Sequence, residues 1–205
     1  MSFSIYQLKP QFQQLLQPLM RALVRCRVTP NQITLTTMLL SVAYGAALAC
    51  WPQRAGLWAG LAPFLLLRMA LNAIDGMLAN ATGQKTRLGT LLNEICDQVS
   101  DVALYLPFML AAGPHALLLA LAVCAGLLAE FAGVLALSVG AARRFDGPMG
   151  KSDRAFWFSL LGLLLAYGAA PPLLDGVVAL VIALSAWTVV NRLRRALRAS
   201  APATP

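Results

Sequence analysis

Residues 56–79 of this 205-residue chain read GLWAGLAPFLLLRMALNAIDGMLA. Apart from Arg68, Asn72 and Asp75 the segment is almost wholly apolar, and about 20 apolar residues span the hydrocarbon core of a bilayer. Because backbone polar groups inside a bilayer must pair within their own segment, this stretch is predicted to be a transmembrane helix. The whole composition agrees: 12% of the residues are charged, against about 25% in a typical soluble domain.

Further apolar segments lie on both sides of this one. The predicted spans, with boundaries good to a few residues, are 31–51, 56–79, 88–112, 117–139, 155–169 and 173–190. The fifth is short and is expected to begin before residue 155. We therefore predict an all-α, polytopic membrane protein of about six transmembrane helices, forming a single domain over residues 1–198.

The first 29 residues are polar and rich in Gln, which is not typical of a signal peptide. Apolar residues recur in this segment at helical spacing: Phe12, Leu15, Leu16, Leu19 and Leu23. Three arginines accompany or follow them: Arg21, Arg25 and Arg27. The pattern predicts an amphipathic helix on the membrane surface. At the other end, residues 199–205 are predicted to be a disordered tail.

Basic residues concentrate in alternate connections between the predicted spans. They lie before span one, after spans two and four, and after span six, whereas the other loops contain only Arg54 and His115 as basic residues. The positive-inside rule then predicts that both termini face the cytoplasm. In a membrane protein the net charge of +8 indicates topology and contacts with anionic lipid headgroups, so no nucleic-acid partner is expected.

Five of the eight acidic residues lie inside predicted spans: Asp75, Glu94, Asp97, Asp101 and Glu130. A charged side chain at the bilayer centre costs at least about 2.5 kcal/mol, so these residues are candidates for function. Asn72 and Asp75 share a face of span two, and Asn93, Asp97 and Asp101 form a ladder on span three. Carboxylates gathered in one pocket repel each other unless cations neutralise them, which favours a site for divalent ions that also bind phosphate.

From Asn72 to Asp97 the sequence reads N-x2-D-G-x2-A-N-x8-G-x3-N-x3-D. This resembles the signature of the CDP-alcohol phosphatidyltransferases, D-x2-D-G-x2-A-R-x8-G-x3-D-x3-D, with every spacing kept. The six-span layout after a short amphipathic start is similar too. The resemblance implies an enzyme of phospholipid biosynthesis that transfers a substituted phosphate group from a CDP-alcohol to a second alcohol and releases CMP.

The resemblance also implies two divalent ions, Mg²⁺ or Mn²⁺, and roles for matching residues. Asp75 matches a metal ligand, and Asp97 matches the last Asp of the signature, which is the candidate general base. Gly76, Ala79 and Gly89 match the small residues that line the CDP site.

Three signature positions differ, because Asn72 and Asn93 replace Asp and Asn80 replaces Arg. An amide oxygen can bind a metal but carries no charge, and the loss of Arg removes a guanidinium group that could bind phosphate with two hydrogen bonds. We expect Asp101 or Glu94 to supply the missing charge. The predicted metal ligands are therefore Asn72, Asp75, Asn93, Asp97 and Asp101. The alternative for Asp101 is a buried salt bridge with Arg68.

Other polar residues are assigned to substrate binding. Asn31 and Asn80 are expected near the nucleotide, where Lys85 or Arg87 would substitute for the missing Arg. Basic residues around the loop after span four are expected to bind a phosphate of the acceptor or lipid headgroups: Arg143, Arg144, Lys151 and Arg154. The alternative for this loop is a topological anchor alone. Glu130 is expected to pair with Arg68 or to serve a dimer interface.

The preferred interpretation is a transferase in the cytoplasmic membrane, if the source is bacterial, with its site facing the cytoplasm. The family resemblance suggests CDP-diacylglycerol as donor, a small alcohol as acceptor, and a homodimer. One alternative, motivated by the three Asn replacements, is a catalytically degenerate protein that binds a nucleotide or phospholipid. A small transporter is a third interpretation, but the acids gather at one end of spans two and three, and paired broken helices are not apparent.

Overall fold

The computed structural model of the chain describes residues 9–111 and 115–200. Within these residues there are seven α-helices and no strands. The helices are α1 (Lys9–Arg25), α2 (Pro30–Cys50), α3 (Ala55–Thr82), α4 (Arg87–Tyr105), α5 (Ala116–Leu135), α6 (Lys151–Ala166) and α7 (Pro171–Ser200). Short 3-10 segments extend α4 through Leu110 and α5 through Val139. The prediction of an all-α membrane protein is confirmed.

Helices α2 to α7 follow the six predicted spans in order. Four segments are long and apolar enough to cross a membrane by themselves: Pro30–Cys50, Ala55–Thr82, Ala116–Val139 and Pro171–Ala199. The other two, α4 and α6, differ for separate reasons. Helix α4 carries the polar face predicted for the site, and α6 has only 16 residues.

Two helix boundaries in the second half of the chain bear on the predictions. Helix α6 begins at Lys151, before residue 155 as expected. Helix α7 passes the predicted end at residue 190 and reaches Ser200, so residues 199 and 200 are helical where a disordered tail was predicted. The rest of the predicted tail, residues 201–205, lies outside the described residues.

Local caps fix the helix ends beside the candidate site. Thr29 caps α2, because its hydroxyl accepts a hydrogen bond from the Gln32 amide while the Gln32 side chain accepts one from Thr29 N. Gly83 ends α3 with a φ of 67°, a left-handed conformation that glycine adopts without strain. Thr86 then caps α4 by accepting from Gly89 N. The chain therefore turns from α3 into α4 within a few residues.

The apolar core lies among helices α2 to α7. Trp58, Tyr105, Phe108 and Phe158 are at most 2% exposed, and the rings of Tyr105 and Phe158 stack with centroids 3.9 Å apart. Helix α2 packs against both α3 and α4. Its contact with α4 is close, because a Cβ on Gly45 would collide with the Ala103 carbonyl.

Helix α1 packs on the outside of this core. Leu16 and Leu23 contact a small cluster that contains Ile74 and Leu78 of α3. Leu15, in contrast, is 76% exposed, as expected of a side chain that meets lipid. Helix α1 therefore has one apolar edge against α3 and another available to the membrane.

Candidate active site

The structure brings the intramembrane acids together with basic residues from distant parts of the chain. Two neighbouring groups can be distinguished. The carboxylate–amide site consists of Asn72, Asp75, Asn93 and Asp97. The ion-pair network consists of Arg68, Asp101, Glu130, Arg154 and Arg192.

In the carboxylate–amide site each acid is paired with an amide from the facing helix. Asp75 of α3 is 5% exposed, and its Oδ2 accepts hydrogen bonds from Asn93 Nδ2 of α4 at 3.1 Å and from Thr34 Oγ1 of α2 at 3.0 Å. Asp97 of α4 accepts a hydrogen bond on Oδ1 from Asn72 Nδ2 of α3 at 3.3 Å. The four positions that match the Asp positions of the signature therefore meet across α3 and α4.

Asp97 has a cationic partner that the sequence analysis did not assign to it. Lys151, at the start of α6, forms an ion pair through Nζ with Asp97 Oδ1. Arg68 Nη2 lies 3.8 Å from the same oxygen and donates to the Asp97 backbone carbonyl at 3.0 Å. Since the Asp97 side chain is 16% exposed, the candidate base lies at the boundary between the network and the open side of the site.

The ion-pair network takes one charged residue from each of five helices. Asp101 of α4 pairs through Oδ1 with Arg68 of α3, and its Oδ2 accepts from Arg154 Nη2 of α6 at 2.9 Å. Arg154 Nη1 donates to Glu130 of α5 at 3.0 Å, and Arg192 Nη1 of α7 lies 3.4 Å from the other Glu130 oxygen. All five residues are at most 7% exposed.

These contacts change three assignments made from the sequence. Both carboxylate oxygens of Asp101 accept from guanidinium groups, so the geometry favours the salt-bridge alternative over a metal ligand. Glu130 pairs with Arg154 and Arg192, so its predicted pairing with Arg68 is wrong. All three guanidinium nitrogens of Arg154 donate to Asp101 or Glu130. In this structure the group is therefore engaged by carboxylates and not placed to bind an acceptor phosphate.

Arg192 belongs to the network, but the sequence analysis used it only for topology. A signal was present, because Ser185, Thr188 and Arg192 recur at helical spacing on α7, and residues 176–190 of that helix are otherwise apolar. All three are at most 1% exposed. A polar stripe of this kind inside a span indicates a face turned toward other helices.

The basic loop between α5 and α6 borders the site with two partly exposed arginines. Arg143 Nη2 donates to Glu94 at 2.7 Å and to Glu130 at 3.3 Å, and its guanidinium lies 4.4 Å from the Phe145 ring centroid. Arg144 Nε donates to Asp146 at 2.7 Å. The Arg143 and Arg144 side chains are 27% and 24% exposed, so both remain accessible at the edge of the site.

The residues assigned to the nucleotide lie along the end of α3 and the start of α4. A Cβ placed on Gly76 would meet nothing within 4 Å, so there is open space beside it. Asn80 and Lys85 are exposed, and Ala79 is partly buried. A Cβ on Gly89 would lie 3.0 Å from Asn31 Oδ1, which places Asn31 against α4. Gly89 therefore allows close packing against Asn31, and its role in the CDP site stays a prediction.

Within the described residues, no group of three or more His, Cys, Asp and Glu side chains is close enough to hold a metal ion. The oxygen donors that remain are the carboxylates of Asp75 and Asp97 and the amides of Asn72 and Asn93. Such donors suit a hard divalent cation such as Mg²⁺ or Mn²⁺. The donor set therefore fits a divalent ion, with half the negative charge that four Asp residues would supply.

Comparison with known proteins gives a consistent assignment. Residues 27–191 match the family described as CDP-alcohol phosphatidyltransferase. The chain is 43% identical to the inner membrane protein YnbA of Escherichia coli (strain K12), over 97% of this chain and 98% of that protein. It is also 31% identical to the phosphatidylinositol phosphate synthase of Corynebacterium glutamicum, over 88% of this chain and 83% of that protein.

Solved structures share the fold. One is the phosphatidylinositol phosphate synthase of Mycobacterium tuberculosis with CDP-DAG bound, with a TM-score of 0.76, 21% identity, and coverage of 94% of this chain and 99% of that chain. The same enzyme in complex with manganese and citrate gives a TM-score of 0.74 at 22% identity, covering 92% of each chain. With a family match over most of its length, the chain belongs to the CDP-alcohol phosphatidyltransferase family of membrane enzymes.

Proposed function

We propose that this protein transfers a phosphatidyl group from CDP-diacylglycerol to a small alcohol, with release of CMP, in phospholipid biosynthesis. The observation that carries the proposal is the meeting of Asp75 and Asp97 from two facing helices, each paired with an amide of the other helix. The choice of donor is supported by the related synthase whose structure contains CDP-DAG.

In this proposal Asp97 is the general base. Its carboxylate takes the proton of the acceptor hydroxyl, and the hydroxyl oxygen forms a bond with the β-phosphorus of the donor. The bond from that phosphorus to the bridging oxygen breaks, and CMP leaves with the bonding electrons. Asn72 Nδ2 and Lys151 Nζ both contact Asp97 Oδ1, so they hold the carboxylate in a fixed orientation.

A divalent ion, Mg²⁺ or Mn²⁺, is proposed as cofactor. Asp75 and Asp97 would hold it, with the amide oxygens of Asn72 and Asn93 as neutral ligands. The ion would supply charge stabilisation for the phosphate oxygens of the departing CMP. Asp101 is left out of this ligand set because its oxygens accept from Arg68 and Arg154. The related synthase crystallised with manganese supports the choice of metal class.

The remaining site residues are proposed to bind the two substrates. The nucleotide would lie where α3 ends and α4 begins, in contact with Gly76 and Ala79. Four residues around them would complete this part of the site: Asn31, Asn80, Lys85 and Gly89. Arg143, Arg144 and Lys151 would contact the acceptor at the opposite edge. We further propose that both termini and the site face the cytoplasm, as the charge of the loops indicates, and that the chain forms a homodimer, as the family resemblance suggests.

The alternative is a protein of the same fold that binds CDP-diacylglycerol without turnover, motivated by Asn72, Asn80 and Asn93. CMP release by purified protein in lipid nanodiscs separates the two. The assay supplies CDP-diacylglycerol, Mg²⁺ or Mn²⁺, and glycerol 3-phosphate, inositol phosphate, serine, choline or glycerol as acceptor. Transfer predicts metal-dependent CMP release, which Asp97→Asn lowers by at least about 100-fold.

Asp175→Asn is the matched control, because Asp175, near the start of α7, contacts His115 just before α5 and belongs to neither the carboxylate–amide site nor the ion-pair network. The control should keep the activity of the parent protein. Absence of CMP release with every acceptor, in folded protein that still binds the donor, would favour the binding protein. Activity retained in Asp97→Asn would exclude Asp97 as the base.

A further inference from the structure

We propose that the site binds one divalent ion per chain rather than two, and that the ammonium group of Lys151 occupies the place of a second cation beside Asp97. This inference rests on the proposed metal-dependent transfer. Because Asn72 and Asn93 carry no charge, Asp75 and Asp97 are the carboxylates of the carboxylate–amide site. Their combined charge is two units, against four in a site with Asp at all four positions, which favours one divalent ion over two.

One of those two carboxylates already has a cation of the chain itself. Lys151 Nζ pairs with Asp97 Oδ1, and Arg68 Nη2 lies 3.8 Å from the same oxygen. A second divalent ion at Asp97 would therefore approach the Lys151 ammonium and the Arg68 guanidinium, and the carboxylate that offsets Arg68, Asp101, is already shared with Arg154. Like charges at such distances oppose binding unless opposite charge compensates.

The lysine is held in place by the start of its helix. Gly150 is the residue before α6, and its amide donates to Asp153 Oδ2 at 3.0 Å, which closes the first turn. Asp153 is 7% exposed, and the next residue, Arg154, is fixed by the ion-pair network. The backbone of Lys151 is therefore held in a fixed position, and its side chain extends from there to Asp97.

Asp75 differs, because its side-chain hydrogen-bond partners Thr34 and Asn93 are neutral. Within the donor set proposed above, the single ion is therefore assigned mainly to Asp75 and only secondarily to Asp97, and rotation of the Asn93 amide would offer its oxygen in place of its NH₂ group. Asp97 then keeps Lys151 as its counter-charge while it receives the proton of the acceptor. The second metal position of a four-Asp site is replaced by a residue of the chain.

The test is the number of Mn²⁺ ions bound per chain, measured by equilibrium dialysis of the full chain in nanodiscs with CDP-diacylglycerol present. Electron paramagnetic resonance of the bound Mn²⁺ separates an isolated ion from a magnetically coupled pair. We expect one isolated ion in the parent protein. Lys151→Met, which keeps the length of the side chain without its charge, should bind a second ion.

Two matched variants test whether the number of bound Mn²⁺ ions depends on the charge at residue 151 in particular. Lys151→Arg keeps the charge and should bind one ion, which also controls for a folding defect in Lys151→Met. Arg54→Gln removes one positive charge from the connection between α2 and α3, and it should bind one ion as well. Two coupled ions in the parent protein would overturn the inference, as would a single ion in folded Lys151→Met.

CMP release is measured on the same samples. A parent protein that releases CMP with two ions bound would refute this inference and leave the proposed transfer intact. A parent protein that binds no Mn²⁺ and releases no CMP would refute the proposed function together with the inference.

Discussion

Replacing Asp101 with Asn should destabilise the protein strongly while leaving the number of bound Mn²⁺ ions unchanged. Asp101 is 5% exposed and accepts from Arg68 Nη1 and from Arg154 Nε and Nη2. The amide keeps one acceptor oxygen, but it places an NH₂ donor against a guanidinium and removes the negative charge. Both arginines are only 2% exposed, so water cannot replace the lost partner.

The magnitude follows from what each arginine keeps. Removing one partner of a buried ion pair costs about 3–5 kcal/mol. Arg154 retains Glu130, and Arg68 retains the Asp97 carbonyl, so the lower end of about 3 kcal/mol applies. For a chain of this size that corresponds to a fall in the midpoint of thermal unfolding of about 6–12 °C.

Thermal unfolding in one fixed lipid or detergent composition, with Mn²⁺ counting on the same preparation, tests this expectation. Asp175→Asn is the control for an Asp-to-Asn change elsewhere on the chain. A variant with unchanged stability that has lost bound Mn²⁺ would show that Asp101 is a metal ligand. It would also show that the ion pairs with Arg68 and Arg154 do not represent the working site.

Three further predictions concern the ion-pair network, the packing of α2 against α4, and the proposed nucleotide site. Glu130→Gln should lower the unfolding midpoint by several degrees, because Arg192 loses the carboxylate it pairs with and Arg154 is left with Asp101; an unchanged midpoint would contradict the network. Gly45→Ala should destabilise the protein by about 1–3 kcal/mol in the same scan, because the new methyl group would collide with the Ala103 carbonyl. Gly76→Ala should leave the unfolding midpoint within about 2 °C of the parent, given open space within 4 Å, but lower CMP release; unaltered CMP release would remove Gly76 from the nucleotide site.

Hydropathy was sufficient to predict four of the described helices. Each long apolar run can satisfy its backbone in lipid only as a helix, so α2, α3, α5 and α7 follow from composition. Helices α4 and α6 are weaker signals, because one carries charged residues and the other is short. Their assignment depended on the alternation of basic loops as much as on apolarity.

Helical spacing predicted which site residues share a face, but not which partners they meet. Asp97 and Asp101 are four residues apart, so one periodicity describes both. About 6 Å of helix rise nevertheless separates them, and in the structure Asp97 meets Lys151 while Asp101 meets Arg154, from the same turn of α6. Such a difference depends on where α6 packs, which no local pattern in α4 contains.

The ion-pair network explains how a site with weakened charge can remain ordered. Because α3, α4, α5, α6 and α7 each contribute one buried charged residue, a displacement of any of these helices would separate a pair in a medium where an unpaired charge is costly. Arg68 connects the network directly to Asp97. Arg154 connects it indirectly, because Lys151 on the same turn of α6 pairs with Asp97. The network therefore acts on the proposed chemistry by position, since it fixes the distance between the candidate base and its lysine. In the proposed site, Lys151, from the same turn of α6 as Arg154, then supplies a fixed cation beside the carboxylate charge that the two Asn replacements leave.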